Sequence, residues 1–203
     1  MPAIDIPKER LIQVARWRVK YKDIFNLTQY YKDLHFWLEE YQWKDLEDGK
    51  DHYENLYFEK IDMTGAKEIW IKWRPYKIPN NNPYYRYWMD FDYHCIGIKD
   101  TEVVKDGAKF KAHKGEMELW FTAWMELDYR NQWTNHPILK FFVNLFPGRI
   151  FRKEIREEHK RELYREAYEL QNYAKEWFKL KRHLPYDKVP HFHPGQAFPS
   201  HLK

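Results

Sequence analysis

The chain has 203 residues, with 35 Lys and Arg against 31 Asp and Glu, and a single cysteine, Cys95. This length suits one domain able to bury a core without staples, and one cysteine excludes an internal disulfide. The net charge of +4 is a small difference between large numbers, which favours solubility over a nucleic-acid footprint.

MPAIDIPKERL lacks a continuous apolar signal core, and no later run approaches the ~18 apolar residues of a membrane span. The sequence therefore reads as soluble and cytoplasmic. Its unusual quantity is aromatic content, 19%, with 10 Trp and 16 Tyr. Such side chains suit cores, cavity walls and interfaces alike.

Taken in order, Leu11 to Lys22 alternates Ala15, Trp17, Val19 and Tyr21 against Arg16, Arg18, Lys20 and Lys22, a strand with a basic outer ladder. Asn26 and Gln29 resemble a capping box. Leu27, Tyr30, Tyr31, Leu34, Trp37, Leu38 and Tyr41 then recur at helical spacing, so a helix is expected over 27–44, stopped by Gly49. Tyr53 to Asp62 and Lys67 to Ile78 read as a hairpin turning at MTGA, and Pro79 to Pro83 as a loop. ENLYFEK, at 54–60, resembles a viral-protease cleavage tag, but its penultimate Glu departs from that tag and the segment fits the strand pattern. Tyr84 to Ile98 is a very long strand, followed by two shorter ones around Val103 and Phe110 about the Asp106-Gly107 turn. Lys114-Gly115 is expected to turn the chain again.

The stretch Glu116 to Tyr129 alternates without a break. Met117, Leu119, Phe121, Ala123, Met125, Leu127 and Tyr129 share one face; Glu116, Glu118, Trp120, Thr122, Trp124, Glu126 and Asp128 share the other. At ~3.4 Å per residue it runs ~48 Å. Its natural partner is an amphipathic helix over 149–182, ~51 Å at ~1.5 Å per residue, with Leu163, Ala167, Leu170 and Ala174 in its apolar stripe. On the solvated side of that helix, Glu157 with Arg161 is a favourable i,i+4 pair and Glu162 with Glu166 an unfavourable one. A short apolar helix, ILKFFVNLF, precedes it, and a Pro- and His-rich tail over 185–203 follows. The expected fold is α+β: a long curved antiparallel sheet of about 6–7 strands wrapped on a long C-terminal helix, in one domain over 1–184.

The order strand, helix, strands, long helix resembles the helix-grip arrangement of the START lipid-transfer domains and the birch-pollen-allergen-like superfamily. One helix stands here where those proteins have two short ones, and the Gly-rich loop of the plant members is absent. The resemblance implies a pocket between sheet and helix for an apolar, lipid-like ligand.

Candidate lining residues of that pocket are Trp17, Tyr21, Tyr85, Tyr87, Phe91, Tyr93, Phe121 and Met125, with tyrosine hydroxyls as its convergent polar groups. The competing reading is that these large side chains fill the space. On the other face Trp88, Trp120 and Trp124 stand beside Arg16 and Arg18, a candidate surface for the tail, a second copy or a protein partner. Asp90, Asp92 and His94 with Glu126 and Asp128 read as ion pairs, since residues two apart on a strand are too widely spaced to chelate alone. Four tail histidines, His183, His191, His193 and His201, lack zinc-ligand spacing. Cys95 reads as a buried, inert thiol. No catalytic motif, metal site or cofactor fingerprint is found. The expected function is non-enzymatic binding, with nucleic-acid or ribosome association, and a cyclase- or hydratase-type enzyme, as alternatives.

Overall fold

The structure is a computed structural model that describes residues 6–45, 52–105, 108–135 and 152–180. The Asp106-Gly107 turn, Gly49, the ILKFFVNLF segment and the 185–203 tail lie outside the described residues.

Strand β1 (Leu11–Phe25) leads into helix α1 (Leu27–Glu40), followed by β2 (Glu54–Ile61), β3 (Lys67–Trp73) and β4 (Tyr76–Lys77). Long strands β5 (Tyr85–Lys105) and β6 (Ala108–Leu127) come next, then a short helix α2 (Gln132–Asn135) and the long helix α3 (Arg152–Trp177). The fold is thus α+β, with one antiparallel six-stranded sheet in the order β1-β6-β5-β3-β2 and β4 continuing along β5. No described helix is long and apolar enough to cross a membrane.

The alternation of the long segments becomes burial. Met117, Leu119, Phe121, Ala123 and Met125 on β6 and Tyr85, Tyr87, Met89, Phe91, Tyr93 and Cys95 on β5 are all buried on the helix side of the sheet. There they meet Tyr30, Leu34 and Leu38 of α1 and Leu163, Ala167, Leu170 and Ala174 of α3. The two helices are tied together by Trp177 Nε1, which donates to Asp33 Oδ2 at 2.8 Å.

Four local expectations are corrected. Helix α1 ends at Glu40 rather than 44, because Gln42 adopts a left-handed φ of 61° and donates to Glu39 O while Trp43 N donates to Leu38 O. That is a Schellman ending with glutamine in place of the usual glycine. The expected strand 67–78 breaks at Pro75, which has no N–H for the ladder, and resumes as β4.

Lys114-Gly115 makes no turn, and the strand expected to stop at Ile98 runs on to Lys105; the two shorter strands are the far ends of β5 and β6, with Val103 opposite Phe110. A bulge between Ile96 and Lys99, with Gly97 at φ 64°, inserts one residue and returns Ile98 to the buried face. Gly115 lies opposite this bulge, where an added Cβ would stand 2.6 Å from Ile98 Cδ1 and 3.1 Å from the carbonyls of Ile96 and Gly97. Glycine is there because of crowding.

Candidate functional site

The eight residues expected to line a pocket do face the helices, but those in the middle of the sheet pack directly. Trp17 stacks on Phe121 at 4.4 Å, and its indole N–H donates to Ala167 O at 2.9 Å, filling the space beside the small residue at 167. Tyr21 stacks on Phe178 at 4.7 Å, and Phe91 meets Phe121 edge-on at 5.1 Å. Phe91 and Met125 are fully buried. Tyr93 and Tyr30 bury hydroxyls that have no hydrogen-bond partner among the described residues, and burial raises the pKa of both. Cys95 is buried too, its pKa pushed up by burial to about 12.

The outer face is more enclosed than its pattern suggests. Trp88 is fully buried: its N–H donates to Glu126 Oε2 at 2.8 Å and the Arg86 guanidinium lies 4.6 Å from its ring. Trp124 donates to Asp90 Oδ2 at 2.9 Å. Trp120 is 40% exposed, with Arg18 stacked over it at 4.4 Å, and Arg16 is exposed. Of the acidic residues, Asp90, Asp92 and Glu126 are ion-paired. Buried Arg74 reaches Asp90 at 3.3 Å and Asp92 at 2.5 Å, Glu126 is held by Arg86 and Arg10, and His94 meets Glu68 at 2.9 Å. Among the described residues no group of His, Cys, Asp and Glu could hold a metal ion.

Polar chemistry concentrates instead where the loop after β4 meets α3. Pro79–Asn81 forms a 3-10 turn with Asn80 and Asn81 at positive φ, which asparagine tolerates better than most residues. Asn82 Oδ1 then accepts from the backbone N–H groups of Tyr84 and Tyr85 at 2.8 and 3.0 Å. This fixes the amide, so its NH₂ points to His159 Nε2 at 3.3 Å.

An N–H donor there requires Nε2 to accept, which leaves the His159 proton on Nδ1. From Nδ1 it is donated to Tyr87 Oη at 2.7 Å. Tyr87 passes its own hydroxyl proton toward Glu162 Oε2 at 2.9 Å, with the His159 carbonyl at 3.1 Å as the longer alternative. The direction of every hydrogen bond from Asn82 to Glu162 is thereby determined. Burial, reinforced by Glu162, keeps the Tyr87 pKa far above its ordinary value, so the phenol stays a donor.

One turn on, Glu166 makes a 2.5 Å ion pair with Lys77. Its pKa is raised by burial, with Lys77 pulling the other way and Glu162 adding to the rise. The Trp43 indole N–H also favours the charged carboxylate, yet among the described residues it makes no hydrogen bond of ordinary geometry, and Glu166 Oε2 is likewise buried without one.

Two open clefts flank this cluster and share Asn80 and Glu162. One, of about 440 Å³, is bordered by Glu158, His159, Arg161 and Arg165. The other, of about 320 Å³, is bordered by Gln42, Lys44, Tyr76, Lys77 and Asn81. Models of known protein families, curated proteins and solved structures were all compared with the chain, and none matches it.

Of the pocket residues expected from the sequence, Tyr85 and Tyr87 reach this cluster, Tyr85 by packing its ring 4.7 Å from that of His159. His159, Glu162, Glu166, Lys77 and Asn82 were not anticipated. The available signal was the like-charged Glu162 and Glu166 pair, which isolated helices disfavour. Here Tyr87 and Lys77 relieve it from outside the helix.

Proposed function

We propose that this is a non-enzymatic binding protein that holds a small polar molecule in the paired clefts between the 79–82 loop and α3. The observation that carries the reading is the oriented chain from Asn82 through His159 and Tyr87, which presents the Glu162 carboxylate at the border of both clefts. Arg161 and Arg165, one helical turn apart on the same border, have no ion-pair partner among the described residues. A ligand with a carboxylate or phosphate for the arginines and a hydroxyl or ammonium donor for Glu162 matches this set. Tyr87, His159 and Glu162 satisfy one another, which supports holding a ligand rather than transforming it.

The likeness to helix-grip proteins remains part of this proposal, supported by the order of elements. Trp120, exposed beneath Arg18, supports a second reading, a protein partner on the outer face. Nucleic-acid binding is less favoured, because Arg18, Lys20 and Lys22 are matched by Glu116 and Glu118.

The test is titration with amino acids, hydroxy acids and sugar phosphates, followed by amide NMR. Shifts confined to residues 76–82 and 158–166, weakened about tenfold or more by Arg165→Ala, are expected. If no compound moves these amides, or if Arg165→Ala leaves the affinity unchanged, the proposal fails.

A further inference from the structure

The two clefts beside Glu162 differ in their polar groups. The smaller, of about 320 Å³, is bordered by three primary amides: Gln42 just past the end of α1, and Asn80 and Asn81 of the turn after β4. Lys44 N donates to Tyr76 O at 2.9 Å and Tyr76 N to Lys44 O at 2.8 Å. This two-bond bridge clamps the segment that carries Gln42 against β4, which sets the amides around one space. All three side chains are exposed, and none makes a hydrogen bond among the described residues.

The amides also stand on unusual backbone. Of the six non-glycine residues with positive φ among the described residues, three border this one cleft: Gln42 at 61°, Asn80 at 47° and Asn81 at 53°. Asparagine tolerates that region, but glycine is the ordinary occupant at a helix end, and glutamine gains nothing locally from standing there. Residues held in sparsely populated backbone regions cluster where a ligand is gripped.

Each primary amide both donates and accepts, whereas Lys44 only donates and the Glu162 carboxylate only accepts. Hydroxyl groups, which do both, match the whole set; an ammonium or a carboxylate group matches only half of each amide. Lys77 is held by Glu166, so Lys44 and Glu162 leave this cleft near neutrality. The larger cleft presents Arg161 and Arg165, and Arg165 lies two helical turns from the Glu158 carboxylate on the same border. Paired guanidinium groups suit a phosphate. Asn80 and Glu162 border both spaces, so one molecule can reach both.

We propose that the ligand is a sugar phosphate, with its hydroxyls among Gln42, Asn80, Asn81 and Glu162 and its phosphate on Arg161 and Arg165. The assignment rests on the paired clefts being a binding site and narrows their ligand to one class.

Calorimetric titration of the full chain with glucose 6-phosphate, ribose 5-phosphate, inorganic phosphate, serine and phosphatidylinositol vesicles tests it. At least one of the two sugar phosphates should bind about tenfold or more tighter than inorganic phosphate or serine. Gln42→Gly and Asn81→Gly remove an amide at positions whose φ glycine adopts freely, so both variants should keep the native circular dichroism spectrum. Each should lose about tenfold in affinity for the sugar phosphate and none for inorganic phosphate. Serine or inorganic phosphate binding as tightly as the sugar phosphates overturns the assignment while leaving the binding site in place. So does undiminished sugar phosphate affinity in either glycine variant, or binding of the vesicles without binding of the soluble esters. Binding of none of these probes removes the site and the assignment together.

Discussion

Tyr87→Phe removes one oxygen from the centre of the oriented chain and nothing from the core packing of the ring. In the native arrangement this hydroxyl accepts from His159 Nδ1 and donates to Glu162 Oε2. Without it, a ring N–H and a carboxylate are both left short of a partner. A hydrogen bond to a charged group contributes about 1.5–3 kcal/mol. Glu162 is 40% exposed, so water replaces part of that loss, and a destabilisation of about 1–2 kcal/mol is expected. Urea unfolding measures it.

The same variant carries a spectroscopic signature: imidazole nitrogen NMR should report the Nδ1–H form of His159 in the wild type and a mixture of tautomers in Tyr87→Phe. Equal stability of the two proteins, or an Nε2–H form in the wild type, refutes the hydrogen-bond directions derived from Asn82.

Phe121→Ala deletes a ring that is 1% exposed and stacked on Trp17, so a loss of about 3–5 kcal/mol in denaturant unfolding is expected. Gly115→Ala drives a methyl group into Ile98 and two backbone carbonyls, and should cost about 1–3 kcal/mol, read as an earlier thermal transition with an unchanged native circular dichroism spectrum. The carboxylates of Glu116 and Glu118 are held below their ordinary value of 4.5, chiefly by hydrogen bonds from Lys20. A lowered folded-state pKa gives stability that is present above the ordinary value and lost as pH falls through the lowered one. Lys20→Met should therefore lose stability at neutral pH and show a shallower decline below pH ~4.5 in acid titrations of the melting temperature.

The faces of the long strands were legible because period-two alternation is a local property, and each inward residue from Tyr85 to Cys95 and from Met117 to Met125 is buried as its parity demands. The cap at Asn26 was legible for the same reason, its side chain accepting from Gln29 N at 3.0 Å. What escaped were features decided by distant neighbours. Trp88 has the sequence signature of an exposed residue, yet Arg86 and Glu126 bury it. His159 and Glu162 look like ordinary members of a solvated helix face until a loop some eighty residues earlier is laid against them. The bulge at Gly97 left only a glycine as its trace, and that glycine reads equally well as the start of a turn.

The β5–β6 hairpin has a consequence for how the chain finds its fold. Its pairings are nested from Lys105 with Ala108 outward to Tyr85 with Leu127, so each new rung closes little more chain than the one before. β1 joins the far side of β6 only after a loop has closed between partners such as Arg10 and Leu127, 117 residues apart. Loop-closure entropy makes such distant contacts slow to form and local ones quick. The hairpin is therefore the natural nucleus, and β1 the strand that arrives last and departs first. Truncations of buried side chains along the hairpin should act mainly by slowing refolding, whereas those in β1 should act mainly by hastening unfolding.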